Sequence, residues 1–487
     1  MLFRSIVNRK VALTHLLNDL KVSLLFYNFF IKKQSPKYLF QIHRFISSKL
    51  DPIKISSKTM EGGSRIRSNP FLMKLETPEF KSIFTEELYE LIDLFKRYNY
   101  EIRIAGGAVR DLLMNIKPKD IDFATTATPD EMKEMFIKEE IRMINMKGEK
   151  HGTITPRIND KENFEITTLR VDVLTNGRHA EVQFTTDWQL DANRRDLTIN
   201  SMFLGTDGSV YDYFYGYDDL QNRRVVFVGS ARTRIKEDFL RILRYFRFYG
   251  RIAVRADNHD TGTLQAISEN VMGLNKISGE RIWSEVKCIL EGNFAYELVI
   301  QMINCGIAKH IGLPEYPNVD EFRRVCDNSE QFQEPFHAIT LMAALLNTAA
   351  EAIKLHERLK LSAFERDLLL YLTQNRDVIK DGNDIKMCIH PYIKKEFMEE
   401  CLRYHGKKDL YNCLKAWKLP SFKLNGNILK EKGCPAGKTI GEVMAKLKLI
   451  WANDDFNTTT EDLLNLHMPK ILEELKTGQY SKKQKTK

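Results

Sequence analysis

Two adjacent glycines constrain the fold of this chain most. Gly106 and Gly107 fall between a short β-like run, EIRIA, and an apparent helix start, AVRDLLMN. A second β-like run, KDIDFAT, follows within a few residues. Strand, glycine turn, helix and strand in this order point to an α/β sheet. Upstream, from about Glu79 to Tyr100, FTEELYELIDLFKRYNY repeats apolar residues at helical spacing. Downstream, a Thr-Pro-Asp stop opens the helix TPDEMKEMF, and FEITTLRVDV and AEVQFTT alternate like strands. The sequence predicts a mixed sheet with helices on one side, ending near residue 215.

The second half changes character. From Ala231 onward nearly every stretch reads as helix, as in EDFLRILRYFRFYGRIAV and GERIWSEVKCILEG. The fold class is therefore α+β, a small mixed-sheet head followed by an all-α array. At 487 residues the chain is too long for one core, and several domains are expected. The expected boundaries are 1–59 for a leader and linker, 76–215 for the head, 216–275 for a helical neck, 276–345 for a body, 346–476 for a tail and 477–487 for a basic disordered end.

Charge is informative only when divided. Residues 1–59 hold 11 Lys and Arg against two acids, Asp19 and Asp51, while residues 60–487 hold 63 of each sign. Overall charge therefore gives no argument for nucleic-acid binding, and local clusters must carry it. The leader, beginning MLFRSIVNRKVALTHLLNDLK, is basic and apolar and suits an amphipathic mitochondrial presequence. A membrane span through LLFYNFFI fails on length, because Asp19, Lys21, Lys32 and Lys33 interrupt it well short of roughly 20 residues. A plain disordered extension is the alternative. Initiation at Met60 would give a cytosolic or nuclear form. The seven cysteines are scattered without a Cys-x-x-Cys pair, which excludes a zinc ribbon and leaves free thiols in a reducing compartment.

The chemistry gathers around the glycines. Backbone N–H groups at Gly106 and Gly107 could approach a phosphate closely, and Arg110 could hold triphosphate oxygens bidentately. A turn serving only packing is the alternative. Asp120 and Asp122, if both lie on a strand, project from one face as i and i+2. Two close carboxylates are costly unless a divalent cation sits between them. Glu165, on a later strand, is either a third metal-facing carboxylate or a simple surface acid.

Gly-Gly-x-Val-Arg-Asp with a downstream Asp-x-Asp resembles the head of polymerase β-like nucleotidyltransferases. More narrowly it resembles the class II branch, which holds CCA-adding enzymes and bacterial poly(A) polymerases. Three further stretches support the branch by their order. Arg194–Asn200, RRDLTIN, resembles its ribose-recognition motif; Asp212–Asp219, DYFYGYDD, its hinge; and Glu237–Arg241, EDFLR, its nucleotide-selecting motif. Gly279-Glu280-Arg281 with Glu285 resembles the segment that braces that helix. The matches span roughly residues 76–290. GNILKEKGCPAGKTIGEVMAKLKLIW, residues 426–451, resembles the tRNA-holding tail of eukaryotic members. Between residues 315 and 420 the resemblance fades.

The resemblance implies a catalyst that adds CCA to tRNA lacking a complete end. Two Mg²⁺ ions would be held by Asp120 and Asp122, with Glu165 as helper, and CTP and ATP would be the substrates. Gly106, Gly107 and Arg110 would bind the triphosphate, and Arg195 and Asp196 the nucleotide's phosphate and ribose. Asp238 and Arg241, on one helical face at i and i+3, would read the base. One carboxylate accepts the amino group of cytosine or adenine, whereas guanine and uracil would face it with a carbonyl. Arg244 and Arg247 continue the series. Each step of three drifts by about 60°, so Arg247 is expected nearly opposite Asp238, serving phosphate, tRNA or a buried acid. Tyr245, Phe246, Phe248 and Tyr249, interleaved with these arginines, are expected in the core rather than under a base.

Other readings stand beside these. Lys147–Thr153, KGEKHGT, is either a mobile lever or a connecting turn. His259-Asp260 reads as a surface turn, since no further ligands for a phosphohydrolase metal follow at suitable spacing. A poly(A) polymerase shares every head motif, but the chain lacks a long arginine-rich C-terminal extension. A non-catalytic tRNA-binding or chaperone protein would have no need of the Asp-x-Asp pair, and a glycosyltransferase would need more of a nucleotide-sugar fold. No membrane partner is expected, and the sequence does not set the oligomeric state.

Overall fold

The computed structural model describes residues 65–144, 146–176, 179–380, 394–418, 421–454 and 456–484. The leader expected over 1–59, and Met60, lie outside the described residues.

The head opens on strand β1, Phe71–Lys74, slightly ahead of the expected boundary at 76. Helix α1, Glu86–Arg97, follows a Thr85 cap whose side chain accepts from the Leu88 N–H. Its stripe of Leu88, Leu91, Leu94 and Phe95 is fully buried. Each such side chain contributes about 1.5–3 kcal/mol by leaving water. β2, Ile102–Ala105, runs into helix α2, Gly107–Leu113, and β3, Asp122–Thr125, into α3, Pro129–Lys138. A Thr128/Glu131 capping box and Pro129 in the first turn start α3, matching the Thr-Pro-Asp signal.

The remaining strands are β4 (Arg142–Ile144), β5 (Thr153–Ile158), β6 (Glu162–Asn163), β7 (Glu165–Thr168), β8 (Arg170–Asn176), β9 (His179–Phe184), β10 (Phe203–Gly205) and β11 (Ser209–Tyr211). Nine form one sheet in the order β1-β11-β10-β2-β3-β7-β5-β4, with β6 on β5, while β8 and β9 form a separate hairpin. β3 and β7 are parallel, and the other pairs are antiparallel, so the sheet is mixed.

Strand alternation divides the two faces. Ile104, Phe123 and Ile166 enter the large core with α1 and α3. Ala105, Ala124 and Phe203 enter a smaller core with Trp188 and Ala192 of helix α4, Trp188–Arg194. Helices on one side was the expectation; the second face is covered as well, by this one short helix. Arg103, on that face, lies between the rings of Trp188 and Tyr211 at 4.0 and 3.7 Å.

Beyond Tyr211 the described chain is helical. Helix α5, Ala231–Glu237, is followed by α6, Arg241–Ile252, whose Tyr245, Phe246, Phe248 and Tyr249 are all buried. α7, Gly279–Leu290, lies against α6 and against α8, Ala349–Leu359. α9, Ala363–Lys380, follows. A separate small core of Leu424, Leu429, Val443, Leu447, Leu463 and Ile471 closes the C-terminal part. Helix Met468–Gln484 runs into the disordered end expected at 477–487, continuing from first turns that Met468 and Ile471 anchor in the small C-terminal core. Among the described residues no helix is long and apolar enough to cross a membrane.

Candidate active site

The glycine turn is built as its residue types require. Gly106 has φ +65° and ψ −119°, a backbone conformation open to glycine, and its N–H donates to the Met202 carbonyl at 3.2 Å. A Cβ there would come 3.0 Å from Nη1 of Arg195. Gly107 then begins α2.

Asp122 is the first residue of β3 and Glu165 the first of β7, and the two are partners in parallel register. Alternation puts Asp122 on the face of Ala124, toward α4 and Arg195. Asp120 lies in a bend before the strand, so the two aspartates share a rim without both sitting on a strand. Pro118 and the bend precede β3, which shortens it. All three acids are exposed, and none has an ion-pair partner among the described residues. The Asp122 carboxyl is raised above its usual range, first by the protein around it and then by Glu165 and Asp120, against Arg195.

The three do not form a closed cage, since no group of three such side chains around one point occurs among the described residues. They are hard oxygen donors whose mutual repulsion a divalent cation would relieve. Mg²⁺ typically uses one or two carboxylates together with water and phosphate oxygens. The donor set fits.

Arg195 donates to Asp191 at 3.0 and 3.2 Å and to the Asn200 carbonyl at 3.3 Å, and Arg194 donates to the same Asp191 at 2.8 Å. Burial would raise Asp191, but the two arginines outweigh it and hold the carboxyl low. Asp191 escaped the sequence reading, although it precedes the arginines at the i, i+3 and i, i+4 spacing of helical ion pairs.

Other arginines and acids turn inward. Arg110 is buried, bonded to Asp111 at 2.9 and 3.0 Å and to the Asn200 side chain, 4.9 Å from the Phe248 ring. Burial lowers its pKa, against the pull of Asp111. The second Asp111 oxygen accepts from Arg251 on α6 at 2.7 Å, which ties head to neck. Asp196 is also buried, accepting from the Leu197 N–H at 2.8 Å, Asn200 at 3.3 Å and Arg244 at 2.6 Å. Its carboxyl stays low because Arg244 overrides burial.

The helical face expected for Asp238 and Arg241 is not formed. Asp238 is extended, with φ −149° and ψ 110°, between α5 and α6. Its oxygens accept from the Leu240 N–H at 3.1 Å and from Arg281 at 2.6 Å. Arg241 pairs instead with Glu237 and donates to the Arg194 carbonyl at 2.8 Å. Arg281 on Asp238 and Gly273 under Phe239 hold the residues between α5 and α6 out of the helix. Arg247 reaches Glu285 at 3.1 Å, a buried acid as one reading expected, and Arg244 stands 3.8 Å from the same group.

Residues Met146–His151 form a 3₁₀ turn. Glu149 meets Lys133 of α3 at 2.6 Å, and Arg170 donates to the His151 carbonyl. His259 and Asp260 lie in an exposed connection after α6, as expected, but the His259 ring turns inward and is half-buried. It stacks on Tyr249 at 3.8 Å and shares a hydrogen bond with the Tyr245 hydroxyl at 2.9 Å, while Asp260 caps the next helix.

A rim of unpaired carboxylates beside a glycine turn, backed by an arginine lattice, is equipped to hold metal and polyphosphate together. Comparison with known proteins gives the family. Residues 102–226 match the family described as Poly A polymerase head domain, and residues 260–318 match Probable RNA and SrmB-binding site of polymerase A. The mitochondrial CCA tRNA nucleotidyltransferase 1 of Mus musculus is 50% identical over 407 residues, covering 81% of this chain and 93% of that protein.

The chain belongs to the CCA tRNA nucleotidyltransferase family.

The Homo sapiens member is 49% identical over the same shares. Among solved structures, the Bacillus stearothermophilus CCA-adding enzyme in complex with CTP aligns with a TM-score of 0.60 at 22% identity, over 83% of this chain and 100% of that one. The Thermotoga maritima CCA-adding enzyme complexed with tRNA_CCA aligns with a TM-score of 0.55 at 20% identity, over 83% and 99%. The family fold is thus shared along most of the chain, from the mixed-sheet head through the helical array.

Proposed function

We propose that this chain builds and repairs the 3′-terminal CCA of tRNA from CTP and ATP without a nucleic-acid template. The observation that carries the reading is the in-register Asp122–Glu165 pair near Asp120, without ion-pair partners and beside the strand that leads into the Gly106 turn, in a chain half identical to CCA tRNA nucleotidyltransferases.

Asp120 and Asp122 would hold two Mg²⁺ ions, with Glu165 as a third oxygen donor. Bound there, the metal would lower the pKa of the attacking 3′-hydroxyl and stabilise charge on the transferring phosphoryl group. Gly106 and Gly107 let the backbone approach the triphosphate. Arg195, oriented by Asp191, is the guanidinium whose charge acts on Asp122, and it would take the nucleotide's phosphates. Arg110, Asp196, Arg244 and Arg247 would act by holding this frame in place. Asp238, fixed by Arg281, would accept the amino group shared by cytosine and adenine, with Arg241 close by.

The neck at 216–275, body at 276–345 and tail at 346–476 would hold the tRNA. The basic leader and the mitochondrial relatives support a mitochondrial location, and initiation at Met60 would supply cytosol or nucleus. The test is extension of labelled tRNA lacking CCA by the purified chain with CTP and ATP. Three nucleotides should be added with Mg²⁺ and none with a chelator. Extension that persists in chelator would reject the metal reading.

A further inference from the structure

Asp238 is held from two sides. Arg281 of α7 grips its carboxylate at 2.6 Å. The next residue, Phe239, lies flat on Gly273, where a Cβ would come within 1.9 Å of its ring. Both supports hang on the short segment between Gly273 and Gly279.

That segment is fastened by one side chain from a part of the sequence with no motif. Arg358, near the end of α8, donates through Nη2 to the Leu274 carbonyl at 2.9 Å and through Nη1 to the Ile277 carbonyl at 3.2 Å. Its Nε donates to the His310 carbonyl at 3.0 Å. No carboxylate answers this guanidinium among the described residues, and all three of these hydrogen bonds go to main-chain oxygens. Gly279, the first residue of α7, is pressed against the same turn, since a Cβ there would stand 2.1 Å from the Arg358 carbonyl oxygen. Farther along α7, the Trp283 indole donates to Glu365 of α9 at 2.9 Å. The helix that carries Arg281 is thus clamped at its start by Arg358 and at its middle by Glu365.

We infer that Arg358 is a positioning residue for base selection: by fixing Leu274 and Ile277 it sets both the Gly273 seat under Phe239 and the start of α7, from which Arg281 orients Asp238. The inference rests on Asp238 reading the base. Loosening either support lets the carboxylate turn, and a turned carboxylate no longer rejects a base that offers a carbonyl. Misplacement by about an ångström costs an oriented site up to about a hundredfold.

The experiment compares wild type, Arg358→Lys, Arg358→Met and Asp238→Ala for single-nucleotide addition to tRNA, with CTP, ATP, UTP and GTP supplied separately. Thermal melting checks folding. Lysine keeps the charge but cannot span three carbonyls, so it remains informative where methionine does not fold. Folded Arg358→Lys should lose about tenfold or more of its preference for C and A over U and G, through a lowered KM for UTP and GTP together with a raised KM for CTP and ATP. A role confined to stability would lower the melting temperature and leave that ratio alone. Wild-type selectivity in folded Arg358→Lys, with selectivity relaxed in Asp238→Ala, overturns the role of Arg358. Wild-type selectivity in Asp238→Ala overturns the base-reading assignment itself.

Discussion

Asp122 and Glu165 stand directly opposite each other at the heads of two parallel strands, with Asp120 beside them and no cation among the described residues within ion-pair reach. Desolvation first, and then Glu165 and Asp120, hold the Asp122 carboxyl above its usual range in the folded state, against the charge of Arg195. A carboxyl shifted in this direction gives stability that is full below the ordinary carboxylate range and is lost as pH rises through the folded value. Ionised Asp122 thus works against folding at neutral pH.

Asp122→Asn should melt at or above the wild-type temperature at pH 7, while addition activity falls by about 10³-fold or more. Mg²⁺ should raise the melting temperature of wild type and shift the variant little. A variant that melts lower and still responds fully to Mg²⁺ would contradict the assignment.

Gly106→Ala should fail at both backbone and site. The residue's positive φ strains an alanine, and the new methyl would push against Arg195. A loss of about 1–3 kcal/mol in denaturant unfolding is expected. Activity should fall further than the unfolded fraction explains.

Glu285 answers both Arg247 and Arg244 from within α7. Glu285→Ala leaves two half-buried arginines without it and should cost about 1–3 kcal/mol in urea unfolding. Glu285→Gln keeps a hydrogen-bond acceptor and should cost less. Equal losses in the two variants would mean that the arginines do not depend on this group.

The helices around Glu321 and His405 should be acid-sensitive. Burial, helped by Arg324, lowers His405 to about 4. Burial would raise Glu321, but hydrogen bonds from Arg324 and Tyr404 hold it at about 2. A lowered histidine and a lowered carboxylate both give stability at neutral pH that is lost as pH falls. The histidine share goes between the ordinary histidine range and about 4, and the Glu321 share between the ordinary carboxylate range and about 2. Melting followed from pH 7 to 4 should show a decline that His405→Gln flattens. An equal decline in the variant would remove His405 as its source.

What the sequence made legible follows from physical range. The Gly-Gly turn, the Thr85 and Thr128 caps and the change from sheet to helix are local, and local periodicity shows them. The strand pairing of Asp122 with Glu165 is long-range, but alternation within each strand already limited which faces could meet. EDFLRILRYFR has unbroken helical spacing with neither glycine nor proline, so the sequence places Asp238 on a helix that the fold does not form there. Its break is imposed by Arg281, 43 residues away, and by Gly273. Arg110 and Asp196 looked ready for a ligand, yet buried charges need partners. Asp111, Leu197 and the Asn200 partner of Asp196 are near in sequence, but the Asn200 that meets Arg110 and the Arg244 that meets Asp196 lie 90 and 48 residues distant, where no spacing rule reaches.

The most direct measurement is a nucleotide-omission assay on tRNA transcripts that lack all three terminal residues, resolved at single nucleotides. CTP alone should give two additions and arrest, ATP alone should give none, and both together should give three and a full stop. A lengthening ladder of A from ATP alone would contradict the account and assign the chain to poly(A) synthesis.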